Sequence, residues 1–187
     1  MRMMVVLIVL VAAVVIGVIA RLAAGDSSRP ELVVDESVAA DFAEVARADW
    51  DLFIAAFPAL EDCIGRVTLV AEYTMDDRAK YHPETQIMAV RVPGPRVLLD
   101  RAVIHELAHH LEFSCTSQTE MRPVFLSALG RSGHDWFGGA EWGLIPSEIF
   151  AEAVVEYVLD ERGSVHTDLG LIDQDAVDVV VDWATGH

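Results

Sequence analysis

The sequence predicts an α+β domain that follows an N-terminal apolar segment. Two short runs, 63–74 and 86–92, are rich in β-branched residues, as expected of strands. Before and after them, apolar residues recur at the three- and four-residue spacing of amphipathic helices. A charge-free apolar run precedes all of these elements and is set apart from them by polar residues. We therefore expect two or three strands followed by helices.

The apolar run covers residues 3–20 and is flanked by Arg2 and Arg21. Its length is sufficient to cross a bilayer as a helix. It could equally be the core of a secretory signal, with small residues for cleavage at 22–25. Residues 1–24 are thus a transmembrane anchor or a signal segment, and the length of the run favours the anchor. The chain is expected to be a single-pass cell-membrane protein with an extracytoplasmic domain, or a secreted protein if the segment is cleaved.

The formal net charge of −17 argues against nucleic acid as a partner, because such binding requires a basic surface. Contact with a membrane is expected only through the N-terminal helix. The chain has two cysteines, Cys63 and Cys115, which lie far apart in the sequence. In an oxidising compartment such a pair is first interpreted as one disulfide.

Residues 25–34 are predicted to form a short polar tether, and the folded domain is expected to span 35–187. A first helix is predicted over 35–56, and Pro58 ends it. Its apolar residues at helical spacing are Val38, Phe42, Val45, Leu52 and Phe53.

Two strands are predicted next, over 63–74 and 86–92, with a turn region at 76–85 between them. The second strand leads through Pro93 and Pro95 into the following helix. Strand 86–92 is either an ordinary strand of the sheet or an exposed edge to which a peptide could add.

Three further helices are predicted. The first begins near Leu98 and continues through Glu112, the second covers 147–159, and the last covers about 173–184. Residues 116–145 are expected to be irregular, because five glycines interrupt them.

The first of these helices carries the pattern H-E-x-x-H as His105, Glu106 and His109. Residues four apart share a helix face, so both histidines can reach one metal ion. Glu106 is placed to exchange a proton with a metal-bound water, which is the usual function of this glutamate. Zinc suits two imidazoles together with a carboxylate and keeps a position open for water.

A catalytic zinc site needs a third protein ligand, and the sequence offers alternatives. Glu148 and Glu152 share one face of the 147–159 helix, so one could bind the metal and the other could orient a ligand histidine. Cys115 lies six residues after His109, but Glu112 occupies the position where a turning glycine would be needed. A Cys63–Cys115 disulfide is the better use of that cysteine.

The segments "HELAHH" and "PSEIFAEAVVEY" resemble the gluzincin metallopeptidases, and most closely the catalytic domain of anthrax lethal factor and related secreted bacterial metallopeptidases. The resemblance implies a small zincin-like domain with a short sheet, an active-site helix and a glutamate helix. It implies one Zn²⁺ per chain, bound by His105, His109 and Glu148, with Glu106 as the general base. Glu152 would support the metal site without binding the ion.

Such enzymes often place a tyrosine or histidine shortly before the ligand glutamate to stabilise the oxyanion. Between Phe113 and Ser147 the chain has no tyrosine, and its only histidine is His134, which becomes the candidate. The expected function is zinc-dependent hydrolysis of peptide bonds in a peptide or protein substrate, as an endopeptidase rather than an exopeptidase. The alternatives are a weak or inactive zinc-binding ectodomain that binds a partner, and a structural ectodomain without a metal.

Overall fold

The computed structural model describes residues 29–161 and 172–187 of the chain. Those residues form a mixed structure of helices and one four-stranded sheet, which confirms the α+β prediction. The segment predicted as an anchor or signal, 1–24, lies outside the described residues. Within the described ranges, no helix combines the length and the apolar character needed to cross a membrane.

The elements follow one another along the chain in a simple order. The strands are β1 (Glu31–Val34), β2 (Arg66–Glu72), β3 (Ala79–His82) and β4 (Ile87–Arg91). The helices are α1 (Ala40–Ala56), α2 (Glu61–Ile64), α3 (Arg96–Ser114), α4 (Gln118–Ala128), α5 (Pro146–Leu159) and α6 (Gln174–Thr185). Short 3₁₀ turns lie at Pro58–Leu60 and Trp142–Leu144.

The sheet has the order β1-β2-β4-β3. The β1–β2 and β2–β4 pairs are parallel, and β3 runs antiparallel to β4. Alternate residues of β2 (Val67, Leu69 and Ala71) are buried, so one face of the sheet contributes to the hydrophobic core. Strand β3 is an edge strand, which places one side of it next to open space.

The sheet has more strands than the sequence predicts, and its edge is a different strand. The last part of the predicted tether 25–34 forms β1, because Leu32, Val33 and Val34 pair with β2 and half-bury their side chains there. The predicted turn region 76–85 contains β3. The segment 86–92, considered as the exposed edge, is instead an interior strand with neighbours on both sides.

Two helices also replace segments that were predicted otherwise. Helix α4 lies within 116–145, where the glycines after it led to a prediction of irregular structure. It buries Met121 and Phe125, one turn apart, and it tolerates Pro123 within its length. The start of the predicted strand 63–74 belongs to α2, which ends before β2 begins.

Helix α3 runs through the centre of the domain. Its residues Ile104, Leu107 and Leu111 are fully buried. Helix α5 packs against it and buries the small residues Ala151 and Ala153 completely. The contact brings the polar residues on the facing sides of the two helices within hydrogen-bond reach of one another.

A disulfide joins Cys63 to Cys115, with a Cα–Cα distance of 5.1 Å. The predicted pairing is therefore found. Cys63 lies in α2 rather than in the first strand, and Cys115 follows the last residue of α3. The bond fixes the C-terminal end of α3 to the segment that leads into β2. It also removes Cys115 from the candidate metal ligands, because a disulfide sulfur is not a thiolate.

Replacing both cysteines with serine should lower the free energy of unfolding by about 4 kcal/mol. This value follows from the entropy that a cross-link across 52 residues removes from the unfolded chain. Urea unfolding of the full chain and of the double variant, followed by tryptophan fluorescence, measures the difference. Reduced wild-type protein is the matched control and should resemble the double variant; equal stability of all three would contradict the prediction.

A buried carboxyl group lies between α1 and the start of α3. Asp49 is only 2% exposed, and its Oδ2 has no hydrogen-bond partner among the described residues. Burial, together with the nearby negative charge of Asp100, raises the pKa of Asp49 to about 7, although Arg96 opposes the shift. The folded protein therefore holds a proton on Asp49 at pH values where the unfolded chain has lost it.

Because the pKa of Asp49 is higher in the folded state, its contribution to stability is present in full below about pH 4 and is lost as the pH rises through about 7. The contribution of Asp49 to the free energy of unfolding is at most about 4 kcal/mol. The substitution Asp49→Asn should remove this dependence of the free energy of unfolding on pH and make the protein more stable than wild type at pH 8. Urea unfolding at pH 5 and pH 8 measures it, with Asp51→Asn on the exposed side of α1 as the control. An unchanged pH dependence in Asp49→Asn would contradict the account.

Candidate metal centre

The polar residues predicted to form the site lie on the facing sides of α3 and α5. Helix α3 carries His105, Glu106 and His109, and the first two turns of α5 carry Glu148 and Glu152. The sequence produces this arrangement because each helix repeats its polar residues at four-residue spacing on a face that is otherwise apolar or small. The helix contact then brings all five side chains into one region.

Three of these residues converge on a single point. The His105 Nε2 atom is 3.2 Å from His109 Nε2 and 3.1 Å from a Glu148 carboxylate oxygen. The same carboxylate oxygen is 3.4 Å from His109 Nε2. The three potential ligand atoms thus form a nearly equilateral triangle. The side chains are 12%, 12% and 20% exposed, so the triangle is enclosed on most sides but open on one.

The other nitrogen of each imidazole faces a carboxylate. His105 Nδ1 lies 3.1 Å from Glu152 Oε1, and His109 Nδ1 lies 2.6 Å from Glu112 Oε2. With a proton on each Nδ1 that donates to its carboxylate, each Nε2 presents a lone pair toward the triangle. The two carboxylates therefore set both the ring orientation and the tautomer that a metal ligand requires.

Glu112, for which no function is predicted from the sequence, is itself held in place by several contacts. The residue is 1% exposed. One of its oxygens accepts the indole N–H of Trp136, and the other accepts the Ser147 hydroxyl at 2.9 Å as well as the His109 ring. A buried carboxylate with this number of donors is fully satisfied as an anion. Glu112 thereby connects α3, the loop after α4 and the first turn of α5.

Glu152 is fixed in a comparable way by a buried arginine. Arg101 lies one turn before His105 on α3 and is 5% exposed. Its Nη2 donates to Glu152 Oε2 at 2.9 Å, and its Nη1 is 3.7 Å from Glu161. The Arg101–Glu152–His105 chain places a positive charge behind the carboxylate. The ion pair with Arg101 offsets part of the cost of burying the Glu152 carboxylate.

The electrostatics of the centre favour a cation. Burial lowers the pKa of both histidines, but hydrogen bonds to carboxylates outweigh this effect. The result is a pKa of about 9 for His105, with Glu148 and Glu152 as its partners, and of about 10 for His109, with Glu112 and Glu148. Burial also acts to raise the pKa of Glu148, and the two histidines reverse that shift and lower it strongly.

The donor set and its spacing fit zinc. Two ligands at about 2.05 Å from one tetrahedral ion are about 3.3 Å apart, and the three observed separations lie close to that value. Two imidazoles and one carboxylate are ligands that zinc accepts. A zinc ion held by these three residues would keep one ligand position for water or substrate. Among the described residues, His105, His109 and Glu148 are the group of side chains that could hold a metal ion.

The open side of the triangle is a cleft of about 920 Å³. Glu106 lines this cleft one residue after His105 and is 5% exposed. Burial raises its pKa, while the nearby histidines and the backbone N–H of Tyr81 act in the opposite direction. A carboxylate with a raised pKa is a better proton acceptor than a solvated one, which suits a general base.

The candidate oxyanion stabiliser is not in the cleft. His134 is exposed in the loop after α4, where its ring hydrogen-bonds to the Arg131 carbonyl, and it is absent from the cleft lining. Tyr81 lines the cleft, but its hydroxyl is engaged with His110, whose other nitrogen donates to the Ile64 carbonyl. Trp142 stacks on His105 with ring centroids 6.0 Å apart and forms part of the wall.

Comparisons of the chain with models of protein families, with curated proteins and with solved structures gave no match.

Two residues that support the centre are not among the predicted site residues, although the sequence contains a signal for both. Glu112 and Arg101 are charged residues within an otherwise apolar helix, three residues after His109 and four before His105. At those spacings they share a face with the histidines. Trp136 and Ser147 carry no comparable signal, because only the tertiary fold brings them to Glu112.

Proposed function

We propose that the chain is a zinc-dependent peptidase with a gluzincin-like metal centre in a small zincin-like domain. The observation that carries the proposal is the triangle of His105 Nε2, His109 Nε2 and Glu148, with separations of 3.1 to 3.4 Å. Its size matches the ligand spacing of a tetrahedral ion. The pair of carboxylates behind the imidazoles supports the same conclusion, since metal-binding histidines usually have such partners.

A zinc ion bound here would lower the pKa of a coordinated water and polarise the carbonyl of a peptide bond. Glu106 is placed to accept the proton of the attacking water and to pass it to the leaving amine. Glu152 and Glu112 keep the imidazoles in the binding tautomer. Trp142 covers one side of His105 and limits access of bulk water.

A location outside the cytoplasm is part of the proposal. The Cys63–Cys115 disulfide supports it, because such bonds persist in oxidising compartments. The apolar segment 3–20 supports it as well, either as a membrane anchor that makes the protein single-pass or as a cleaved signal of a secreted protein. The substrate would be a peptide or protein chain, and the enzyme an endopeptidase rather than an exopeptidase.

A zinc-binding ectodomain with weak or no catalysis is the second candidate. It is favoured by the position of His134 outside the cleft and by the engagement of the Tyr81 hydroxyl with His110. Neither group is then available to stabilise an oxyanion. Such a protein would retain the metal and bind a partner through the same cleft.

Purified full chain should contain about one zinc per molecule and should cleave an unstructured protein such as casein. In Glu106→Ala the zinc should remain while cleavage falls by at least about a hundredfold, since the general base is lost. Metal analysis and release of labelled fragments measure the two properties separately.

His109→Ala is the matched control for this experiment, because it removes a ligand and should abolish both zinc and cleavage. Cleavage that survives in Glu106→Ala would contradict the proposed mechanism. Zinc without any cleavage in the wild type would favour the second candidate, and absence of zinc after titration would remove both.

The residues around the ion should differ in their effect on zinc affinity. Glu148→Ala should weaken zinc binding most, because it removes a ligand. Glu112→Gln and Glu152→Gln should each weaken it by about 10- to 100-fold, because they only disturb the orientation of a histidine. Competition with a chromophoric chelator measures all three, and exposed Glu120→Gln on α4 is the control. A larger loss of zinc affinity in Glu152→Gln than in Glu148→Ala would assign the third ligand to Glu152, one helix turn further along.

A further inference from the structure

The exposed edge of β3 borders the candidate metal centre. Strand β3 ends the sheet and lines the same cleft as His105 and His109. The Arg91 N–H donates to the Arg78 carbonyl at 2.9 Å, so in this register the backbone groups of Lys80 also face β4. Those of Ala79 and Tyr81 then point away from β4, toward the cleft.

One side of this edge is aromatic. Tyr81 is buried against α3, and its ring centroid lies 6.1 Å from that of Phe113. Phe113 in turn stacks on Phe137, with centroids 5.7 Å apart and planes inclined by 15°. Phe113 and Phe137 are 50% and 49% exposed, although both line the cleft. Large aromatic side chains that remain exposed within a concave site are a surface for apolar ligand groups.

The other side of the edge is basic. Side chains alternate along a strand, so Lys80 leaves β3 on the face opposite to Tyr81. The chain has 13 basic and 30 acidic residues, yet four of the basic ones line this cleft. They are Arg78, Lys80, Arg91 and Arg101.

Three of these four cations have no carboxylate partner. Arg101 is paired with Glu152, but Arg78, Lys80 and Arg91 form no ion pair within the part of the chain that the structure describes. The Nη1 of Arg78 is also a buried donor without a partner there. Asp77 is the one acidic residue of the lining at this end, apart from the carboxylates of the metal centre. The lining near β3 therefore holds more basic than acidic side chains, and one of the cations, Arg91, also donates to the carbonyls of Met75 and Asp76.

We infer that the cleft binds an extended peptide in which acidic side chains alternate with a large apolar one. The peptide would pair with β3, place its apolar side chain on Phe113 and Phe137, and turn the flanking acidic side chains toward Lys80. Cross-strand pairs of opposite charge stabilise such an added strand. This inference rests on the proposed function for the position of the site, and it assigns the substrate a composition.

Binding of defined peptides to the full chain tests the inference. The protein carries Glu106→Gln, so that a bound peptide is not hydrolysed during the measurement. Three fluorescent peptides of about ten residues share neutral ends and differ in a central Glu-Phe-Glu, Lys-Phe-Lys or Glu-Ser-Glu. Fluorescence anisotropy should give a Kd for the first that is lower than for each of the others by roughly fivefold or more. The advantage over Lys-Phe-Lys should shrink as salt is added.

Two variants assign the preference to residues. In Lys80→Glu the advantage of the Glu-Phe-Glu peptide over Lys-Phe-Lys should disappear or reverse. Arg47→Glu, an exposed residue of α1 outside the cleft lining, makes the same kind of charge reversal and should leave the advantage unchanged. In Phe137→Ala the advantage over Glu-Ser-Glu should be lost, whereas exposed Leu52→Ala on α1 should preserve it.

Equal binding of the three peptides, tighter binding of the lysine peptide, or no binding of any peptide would overturn the inference. A preference that persists in Lys80→Glu would overturn the assignment to β3. Zinc content and casein cleavage of the wild type report on the proposed function independently. Selective peptide binding without casein cleavage would support the inference and reject the peptidase. Casein cleavage without selective peptide binding would support the peptidase and reject the inference.

Discussion

The close packing of α3 against α5 is the contact on which the whole candidate centre depends. Each helix alone carries only half of a site: two imidazoles on one, two carboxylates on the other. The packing of the two helices brings His105, His109 and Glu148 together in one triangle. The buried ion pair of Arg101 with Glu152 joins α3 to α5 across the same contact.

Carboxylates behind the imidazoles give this contact its chemical character. Glu152 and Glu112 lie on opposite sides of the pair, so each histidine ring is held by its own acid. Glu152 forms an ion pair with Arg101, whereas Glu112 accepts hydrogen bonds from Trp136 and Ser147. The orientation of the centre is therefore supported by the helix contact on one side and by a long loop on the other.

Much of the site was predictable because its geometry is local. The four-residue spacing of His105 and His109, and of Glu148 and Glu152, fixes which side chains share a face before any tertiary contact exists. The helices that carry them were predicted to within a few residues. Glu112 lies three residues after His109, a spacing that places it on the same helix face and predicts a contact with that ring. The assignment of Glu148 as a zinc ligand remains a prediction.

What the sequence did not reveal depends on partners that are distant in the chain. Strands β1 and β3 have only four residues each, and they are strands because β2 and β4 lie beside them. A polar segment such as 76–85 gives no indication that such a neighbour exists. His134 is the only histidine between Phe113 and Ser147, but its position depends on the loop that carries it, which leaves it exposed to solvent.

Lys80 is the only lysine of the chain, and both cysteines are joined in the disulfide. The protein therefore offers a single ε-amino group, at the border of the cleft, and no free thiol. Apart from the α-amino group, amine-directed labelling would place its reporter dye or cross-linker at one position, beside the opening, without any engineered residue. Reagents directed at sulfur would find no site, so the usual choice of conjugation chemistry is reversed for this molecule.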